Sequence, residues 1–574
     1  MGETKLDGLT RVLKLRPEIK DLIDKGDFKS IQQFDPSPSL ADIITYYEYL
    51  ELCNENENLF STIKNECSSI KAIGNRLKIF VDPKEFFKRT YLSENMDDII
   101  IKVFAGILGG EAIRRDGSIT TLRSRIIILP SLMGGGKTHL LITLSHIIRL
   151  YNELVVERGD LKTFKGTLKL LNENLAERLY KLAENTERKK IRLAALDGTS
   201  EKTAPDPIKP IEKAIVIHSG NIKEVYKVHT LWGIIAHYFG NYSILAERDK
   251  RNSVPSKEEL KQLLSGDPFI IMVDEPLVYL SRYGDKEKLR DFFQVLAIAI
   301  KELNNGILIL SIPISQEELM GGEAKGAVRE IYEVLSRVQS GLEIVPPLKS
   351  PEIVNVLKKR LFENDENELR KIGREVARLI VSRGGEVVKN AITSLYKSVP
   401  EFEEKVENSY PFSPLYVELL EEQFNHLKYL QRTRDAIRIT IMAFAAIYNG
   451  LYRWLSSDFY LIEPYHIPIQ DSSVRSYLVN PSYGDYQILM SMYDKDVEEA
   501  SIKTSRAWLA RIVGSFIWLK SIIGRGISEG RYLKLYPTTN DIILAVYDPA
   551  VFSQQNIGPG VINDVLNELY SYSN

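Results

Sequence analysis

The stretch SLMGGGKT, Ser131 to Thr138, sets three consecutive glycines directly before a lysine and a hydroxyl residue. Glycines let backbone N–H groups approach an anion closely, and a helix starting at the end of such a loop adds its partial positive charge. Phosphate is the ligand this chemistry suits. Ser131, Gly134, Gly135 and Gly136 would form the cradle, Lys137 would reach the β- and γ-phosphates of ATP, and the Thr138 hydroxyl would ligate Mg²⁺. Ser131 stands where the usual pattern has its first glycine, away from the phosphate-contacting end. FIIMVDE, Phe269 to Glu275, is a second element of the same chemistry, an apolar run ending in two acids. Asp274 is expected to hold Mg²⁺ through water, and Glu275 to orient or deprotonate the attacking water. An acid directly after the metal-holding Asp favours a hydrolase over a protein that only holds nucleotide. The bland alternatives are a glycine-rich turn that binds nothing and a helix-capping acid pair. The flanking strand and helix patterns weigh against both.

These residues act together only if a sheet brings them to one edge. RIIILPS from Arg125, AIVIHSG from Ala214, FIIMVDE from Phe269, GILILSI from Gly306 and LEIVPP from Leu342 are short apolar runs separated by helical stretches. They predict an α/β fold with a five-stranded parallel sheet, whose carboxyl edge is where such sheets bind ligands. At the end of the fourth run, Ser311, Ser315 and Gln316 are each placed to meet the γ-phosphate or the lytic water, and the sequence does not choose among them. Residues 151–213 read as a helical insertion with a loop, more in keeping with a solvated excursion than with a binding element. The expected organisation is a helical N-terminal region (1–80), a nucleotide-binding core (81–348), a helical region (349–455) and a C-terminal region (456–574).

The 574 residues carry 75 Lys and Arg against 77 Asp and Glu, a net charge of −2, so any nucleic-acid site must be local. One stretch qualifies: Lys503, Arg506, Arg511, Lys520, Arg525, Arg531 and Lys534 face a single acid, Glu529. With the helical SRAWLARIVGSFIWLKSII and GRGISEGRYLKLYP as a wing, it resembles a winged-helix module with a DNA-phosphate footprint; pairing with acidic neighbours is the alternative. Cys53 and Cys67 are too few for a disulfide framework or a four-cysteine zinc site, and His218, His229 and His237 lack metal-ligand spacing. The opening residues show no signal-peptide core, and the longest apolar run, Ile439 to Tyr448, is too short for a bilayer. A cytoplasmic protein without membrane partners is therefore expected.

Several stretches resemble the AAA+ ATPases grouped as domain-of-unknown-function family 499, which are similar to anti-phage and DNA-modification-associated ATPases. They are PKEFFKRTYLSENM (Pro83 to Met96), LPSLMGGGKTHLLITLSHI, HTLWGIIAHYFG (His229 to Gly240), VDEPLVYLSRY, and YPFSPLYVELLEE followed by QRTRDAIR (Gln431 to Arg438). The family's TRG-like triplet reads Thr433-Arg434-Asp435 here, and Ser311 replaces an expected Thr. The resemblance implies a P-loop AAA+ core with a helical lid over 349–455. It implies Arg337 as an arginine finger, with Arg329 in reserve, and Arg434 and Arg438 as lid arginines on the nucleotide. His139, after the loop threonine, matches the pattern, with packing or capping its simpler role. The implied function is Mg²⁺-dependent ATP hydrolysis by a homo-oligomer, used to remodel or load a DNA-associated complex through a separate effector. The alternative is a nucleotide-gated scaffold with negligible turnover.

Overall fold

The structure, a computed structural model, describes residues 8–55, 77–130, 136–216, 222–283, 285–312, 326–338, 342–347, 352–423, 430, 432–452, 459–479, 485–522 and 536–572. The chain divides into two compact units, Met1–Pro36 with Ser350–Asn574, and Ser37–Lys349.

The Ser37–Lys349 unit is built on a five-stranded parallel sheet. Its strands, numbered with the others in chain order, are β3 (Ile126–Pro130), β4 (Arg192–Asp197), β7 (Phe269–Asp274), β8 (Gly306–Ile312) and β9 (Glu343–Ile344). They lie in the order β4-β7-β8-β3-β9. Two antiparallel pairs stand outside it, β1 (Ala112–Ile113) with β2 (Ile119–Thr120), and β5 (Ile211–Val216) with β6 (Ile222–Val228). Both faces of the sheet are covered, so its strands are apolar throughout and successive side chains feed opposite cores. Leu129, Ile270, Met272 and Ile309 pack beneath the helices Glu94–Leu108 and Lys137–Leu150. Phe269, Ile271, Leu308 and Leu310 pack with Leu231–Tyr238, Lys257–Leu264 and Lys286–Leu303.

Four of the five expected strands take their places, and the second does not. The described part of the run from Ala214, as far as Val216, belongs to β5 and pairs with β6, whereas the strand beside β7 at one edge of the parallel sheet is β4. That strand lies inside 151–213, so this stretch is part of the sheet and not a solvated excursion. Pairing decides it: β4 meets β7 over six residues in register, from Arg192 opposite Phe269 to Asp197 opposite Asp274.

The unit of 1–36 and 350–574 is helical. Among its described residues the only extended pairings are isolated bridges, Leu15 with Phe362 and Phe412 with Ile462. One apolar core runs through it, gathering Ile19, Ile23 and Ile31 with Ile441, Phe444, Val513 and Phe516. The expected divisions are therefore redrawn. The N-terminal region splits, because its short helices to Gln33 bury their apolar faces in this core while Leu40, Ile43 and Ile44 join the sheet unit. Regions 349–455 and 456–574 share one core. The residues expected to form the wing lie, up to 535, outside the described residues. Among the described residues no helix is long and apolar enough to cross a membrane.

His146 illustrates how tightly the sheet unit is packed. It is fully buried on Lys137–Leu150, with Nε2 2.9 Å from the Phe80 carbonyl and Nδ1 3.1 Å from the Tyr47 hydroxyl. Burial holds its pKa down at about 3, against 6.5 for a free imidazole. Its folded pKa is depressed, so the associated stability is present above pH 6.5 and is lost as pH falls from 6.5 towards 3, where only the unfolded chain takes the proton. His146→Gln should flatten the pH dependence of urea unfolding between pH 6.5 and 4.5. The expected change is at most one proton, about 1.4 kcal/mol per pH unit. An unchanged slope would show that His146 titrates alike in both states.

Candidate functional site

Because the strands are parallel, their carboxyl ends meet at one edge. The register sets Asp197 of β4 beside Asp274 of β7, and Ser311 of β8 beside Leu129 of β3. Strand β3 lies between β8 and β9, and the connections to β4 and to β9 run towards opposite edges of the sheet. This is a topological switch point, where open parallel sheets leave a crevice for ligands. The chain leaves β3 there and re-enters a helix at Lys137. Gly136 precedes it with φ 79°, a left-handed conformation that glycine adopts at little cost.

Five residues converge. The Thr138 hydroxyl donates to Asp274 Oδ2 at 2.6 Å, and the Ser311 hydroxyl donates to Asp274 Oδ1. Ser311 Oγ also accepts the Glu275 N–H at 3.0 Å, so one hydroxyl holds both acids. Lys137, 4 % exposed, places Nζ 3.9 Å from Glu275 Oε1. Glu275 itself has φ 48°, a left-handed conformation that is sparsely populated for a residue with a side chain and costs of order 1–3 kcal/mol. It stands at the turn where β7 gives way to the helix Pro276–Arg282. The turn directs the Glu275 carboxylate towards Lys137.

Asp197 was not singled out from sequence, where ALDGTS reads as a loop. Its carboxylate is buried and fixed locally: Oδ1 accepts from the Thr199 N–H at 2.9 Å and the Thr199 hydroxyl at 2.6 Å, and Oδ2 from the Ala41 N–H at 3.4 Å. Burial, and then the neighbouring Asp197 charge, raise the Asp274 pKa; the Ser311 and Thr138 hydrogen bonds and the Lys137 charge oppose the rise. The edge thus holds three carboxyl groups against one ammonium. This donor set of carboxylate and hydroxyl oxygens suits a hard divalent cation such as Mg²⁺. Among the described residues no cluster of three or more His, Cys, Asp or Glu side chains forms a preassembled metal cage.

The other expected residues fall elsewhere. Ser131, Gly134, Gly135, Ser315 and Gln316 lie outside the described residues. His139 Nε2 is 3.0 Å from the Thr90 hydroxyl, and its ring lies 4.6 Å from that of Phe86. These contacts join the helix Lys137–Leu150 to PKEFFKRT. Arg337 is 77 % exposed on Ala327–Val338, 3.6 Å from Glu333, which Arg329 engages more closely at 2.7 Å. Arg434 and Arg438 belong to the helical unit. Arg438 donates to the Phe34 carbonyl at 2.7 Å and to Asp435 at 2.8 Å, contacts that serve the packing of that unit.

Of the basic stretch, Lys503 is exposed and Arg506 half-buried. Lys520 is buried, and Arg511 is paired with Glu498 at 3.0 Å. Arg525, Arg531 and Lys534 lie outside the described residues. The described part therefore forms no continuous exposed cationic face, because the helix Ala507–Ser521 buries most of its surface.

Residues 57–344 match the family model described as the DUF499 N-terminal domain, and residues 349–574 match that of the DUF499 second domain. The junction between the matches coincides with the boundary between the two units at 349 and 350. No curated protein matches the chain.

Gly198, next after Asp197, lets two strand ends close on each other. Its N–H donates to the Asp274 carbonyl at 2.8 Å, and a Cβ there would fall 2.2 Å from the Glu275 carbonyl oxygen. Gly198→Ala should therefore force β4 and β7 apart at the site, destabilising the sheet unit by about 1–3 kcal/mol. Urea unfolding measures this; a neutral substitution would mean that the Glu275 turn is not held in this geometry.

Proposed function

We propose that this chain, which belongs to the DUF499 family, is an ATP hydrolase of the P-loop AAA+ type. The observation that carries the reading is the meeting of Lys137, Thr138, Asp274, Glu275 and Ser311 at the carboxyl edge of a parallel sheet. The order of β3, the glycine-rich stretch and the helix Lys137–Leu150 along the chain supports it.

In this reading Lys137 binds the β- and γ-phosphates, and its contact with Glu275 keeps the ammonium at the site before they arrive. Thr138 and Asp274 would hold Mg²⁺. The cation supplies charge neutralisation of the phosphates and leaving group. Glu275 orients a water for in-line attack and accepts its proton, while Ser311 fixes the carboxylates of one acid and the backbone of the other. ATP and water become ADP and phosphate, and the chain needs no covalent intermediate. The family resemblance extends the proposal to a homo-oligomer that drives remodelling or loading of a DNA-associated complex with an effector.

In this reading Arg337, exposed and 3.6 Å from Glu333, serves as an arginine finger for a neighbouring copy of the chain. Loss of such a finger costs about 10³ to 10⁵ in rate. Arg337→Ala and Lys137→Ala proteins should each be inactive and regain part of the activity when mixed, since one contributes an intact pocket and the other an intact finger. Absence of rescue in a mixture shown by light scattering to co-assemble would remove the in-trans role.

Lys137→Ala should weaken binding of a fluorescent ATP analogue about tenfold or more, as expected for losing a hydrogen-bonded charge. Glu275→Gln should keep that affinity while phosphate release falls about 10² to 10⁴-fold. Full turnover by the Glu275 variant would displace Glu275 from its role. Tight binding with no turnover by the unmodified protein would favour the nucleotide-gated scaffold.

A further inference from the structure

The amino end of the same sheet, opposite the carboxyl edge, opens into a cavity of about 600 Å³. Its walls include the residues that lead into β3 and β8, the helix Glu94–Leu108, the β1–β2 pair and the end of Lys286–Leu303. Strands β3 and β8 separate it from the candidate site by five residues or more, about 17 Å at 3.3 Å per residue. A ligand here is distinct from one at Lys137.

Lys102, Arg123, Arg125 and Lys301 line the cavity, against one acid, Glu111. Lys102 is already matched, by Asp98 at 2.7 Å and Glu343 at 2.8 Å. The other three cations form no ion pair among the described residues. Arg125 donates through Nε to Asn304 Oδ1 at 2.9 Å and through Nη1 to the Gly106 carbonyl at 2.7 Å, and Lys301 donates to the Val338 carbonyl at 2.7 Å. These neutral acceptors position Arg125 and Lys301 without cancelling their charge, while the Arg123 backbone N–H donates to Glu343 Oε2 at 3.4 Å. Burial lowers the Arg125 pKa, so a counter-charge at the guanidinium would be favoured.

We propose that this cavity binds a small molecule bearing two or more phosphate or carboxylate groups. Guanidinium forks pair with either group through two N–H donors, and three unmatched cations against one acid need a multivalent partner. The volume lies within the range of about 300–1,000 Å³ typical of small-ligand sites. The recess and its two-sided cationic lining suit a compact anion that enters it.

The test is calorimetric titration of the full chain with sodium tripolyphosphate and, separately, trisodium citrate. Every protein compared carries Lys137→Ala, so that the result does not depend on the ATPase proposal. The parent should bind at least one of the two anions, and which one it binds separates the phosphate source from the carboxylate source. Adding Arg123→Gln with Lys301→Gln should weaken that binding tenfold or more. Thr121→Glu, an exposed lining position, should weaken it as well, by adding an acid while every cation remains. Arg125 is left intact because it holds Asn304 and Gly106. Circular dichroism establishes that each variant is folded. Binding of neither anion at millimolar concentration, or equal affinity in the parent and both variants, would overturn the proposal.

Discussion

Parallel pairing of β4 with β7 and of β8 with β3 is the constraint from which the site follows. In a parallel sheet every strand ends on the same side, so one choice of register fixes which residues meet there. The pairings of Asp197 with Asp274 and of Leu129 with Ser311 bring an acid pair and a hydroxyl together beside the end of β3. A one-residue slip would turn Asp274 and Ser311 towards the opposite core and carry Val273 and Leu310 the other way. The apolar packing on both faces of the sheet forbids that slip, so the core holds the register and the register holds the site.

The same edge concentrates charge that a folded protein would otherwise avoid. Removing a carboxylate from water without compensation is costly, and two buried carboxylates side by side raise the cost. Asp197 meets it with backbone N–H groups and the Thr199 hydroxyl, whereas Asp274 depends on the side chains of Thr138 and Ser311. Those two hydroxyls come from different elements of the sheet unit, so replacing either leaves a buried acid short of a donor. The left-handed backbone at Glu275 is tolerated for a related reason: its N–H is bound by Ser311, and Gly198 leaves room for its carbonyl.

Much of this edge was legible from sequence because its residues end continuous apolar runs, the signature of strands buried on both faces. FIIMVDE and GILILSI are of this kind, and the acids and serine at their ends fall where expected. Strand β4 lies at an edge, as β9 does, but no continuous apolar run marks it. Its sequence RLAALD begins with an arginine whose guanidinium reaches the Leu263, Leu264 and Asp267 carbonyls, so its apolar stretch is short. AIVIHSG has the composition of a core strand, yet antiparallel pairing with β6 claims its first residues. Composition reports burial and does not say which neighbour a strand will choose. The helical unit posed a similar difficulty, since residues 9–33 are far in sequence from the helices whose core they complete.

Ser311 shows what geometry adds to a residue named from sequence alone. Its position suited a contact to the γ-phosphate or to the lytic water, and a serine hydroxyl has one proton to donate. That proton goes to Asp274, and one lone pair receives the Glu275 N–H. A phosphate oxygen can only accept, so Ser311 could donate to it only by releasing Asp274, which would then rely on Thr138 or on a cation. A water can donate to the remaining lone pair without disturbing either bond. In this arrangement Ser311 is a positioning residue for the two acids, and its direct contact with phosphate would require the Asp274 carboxylate to find another partner first.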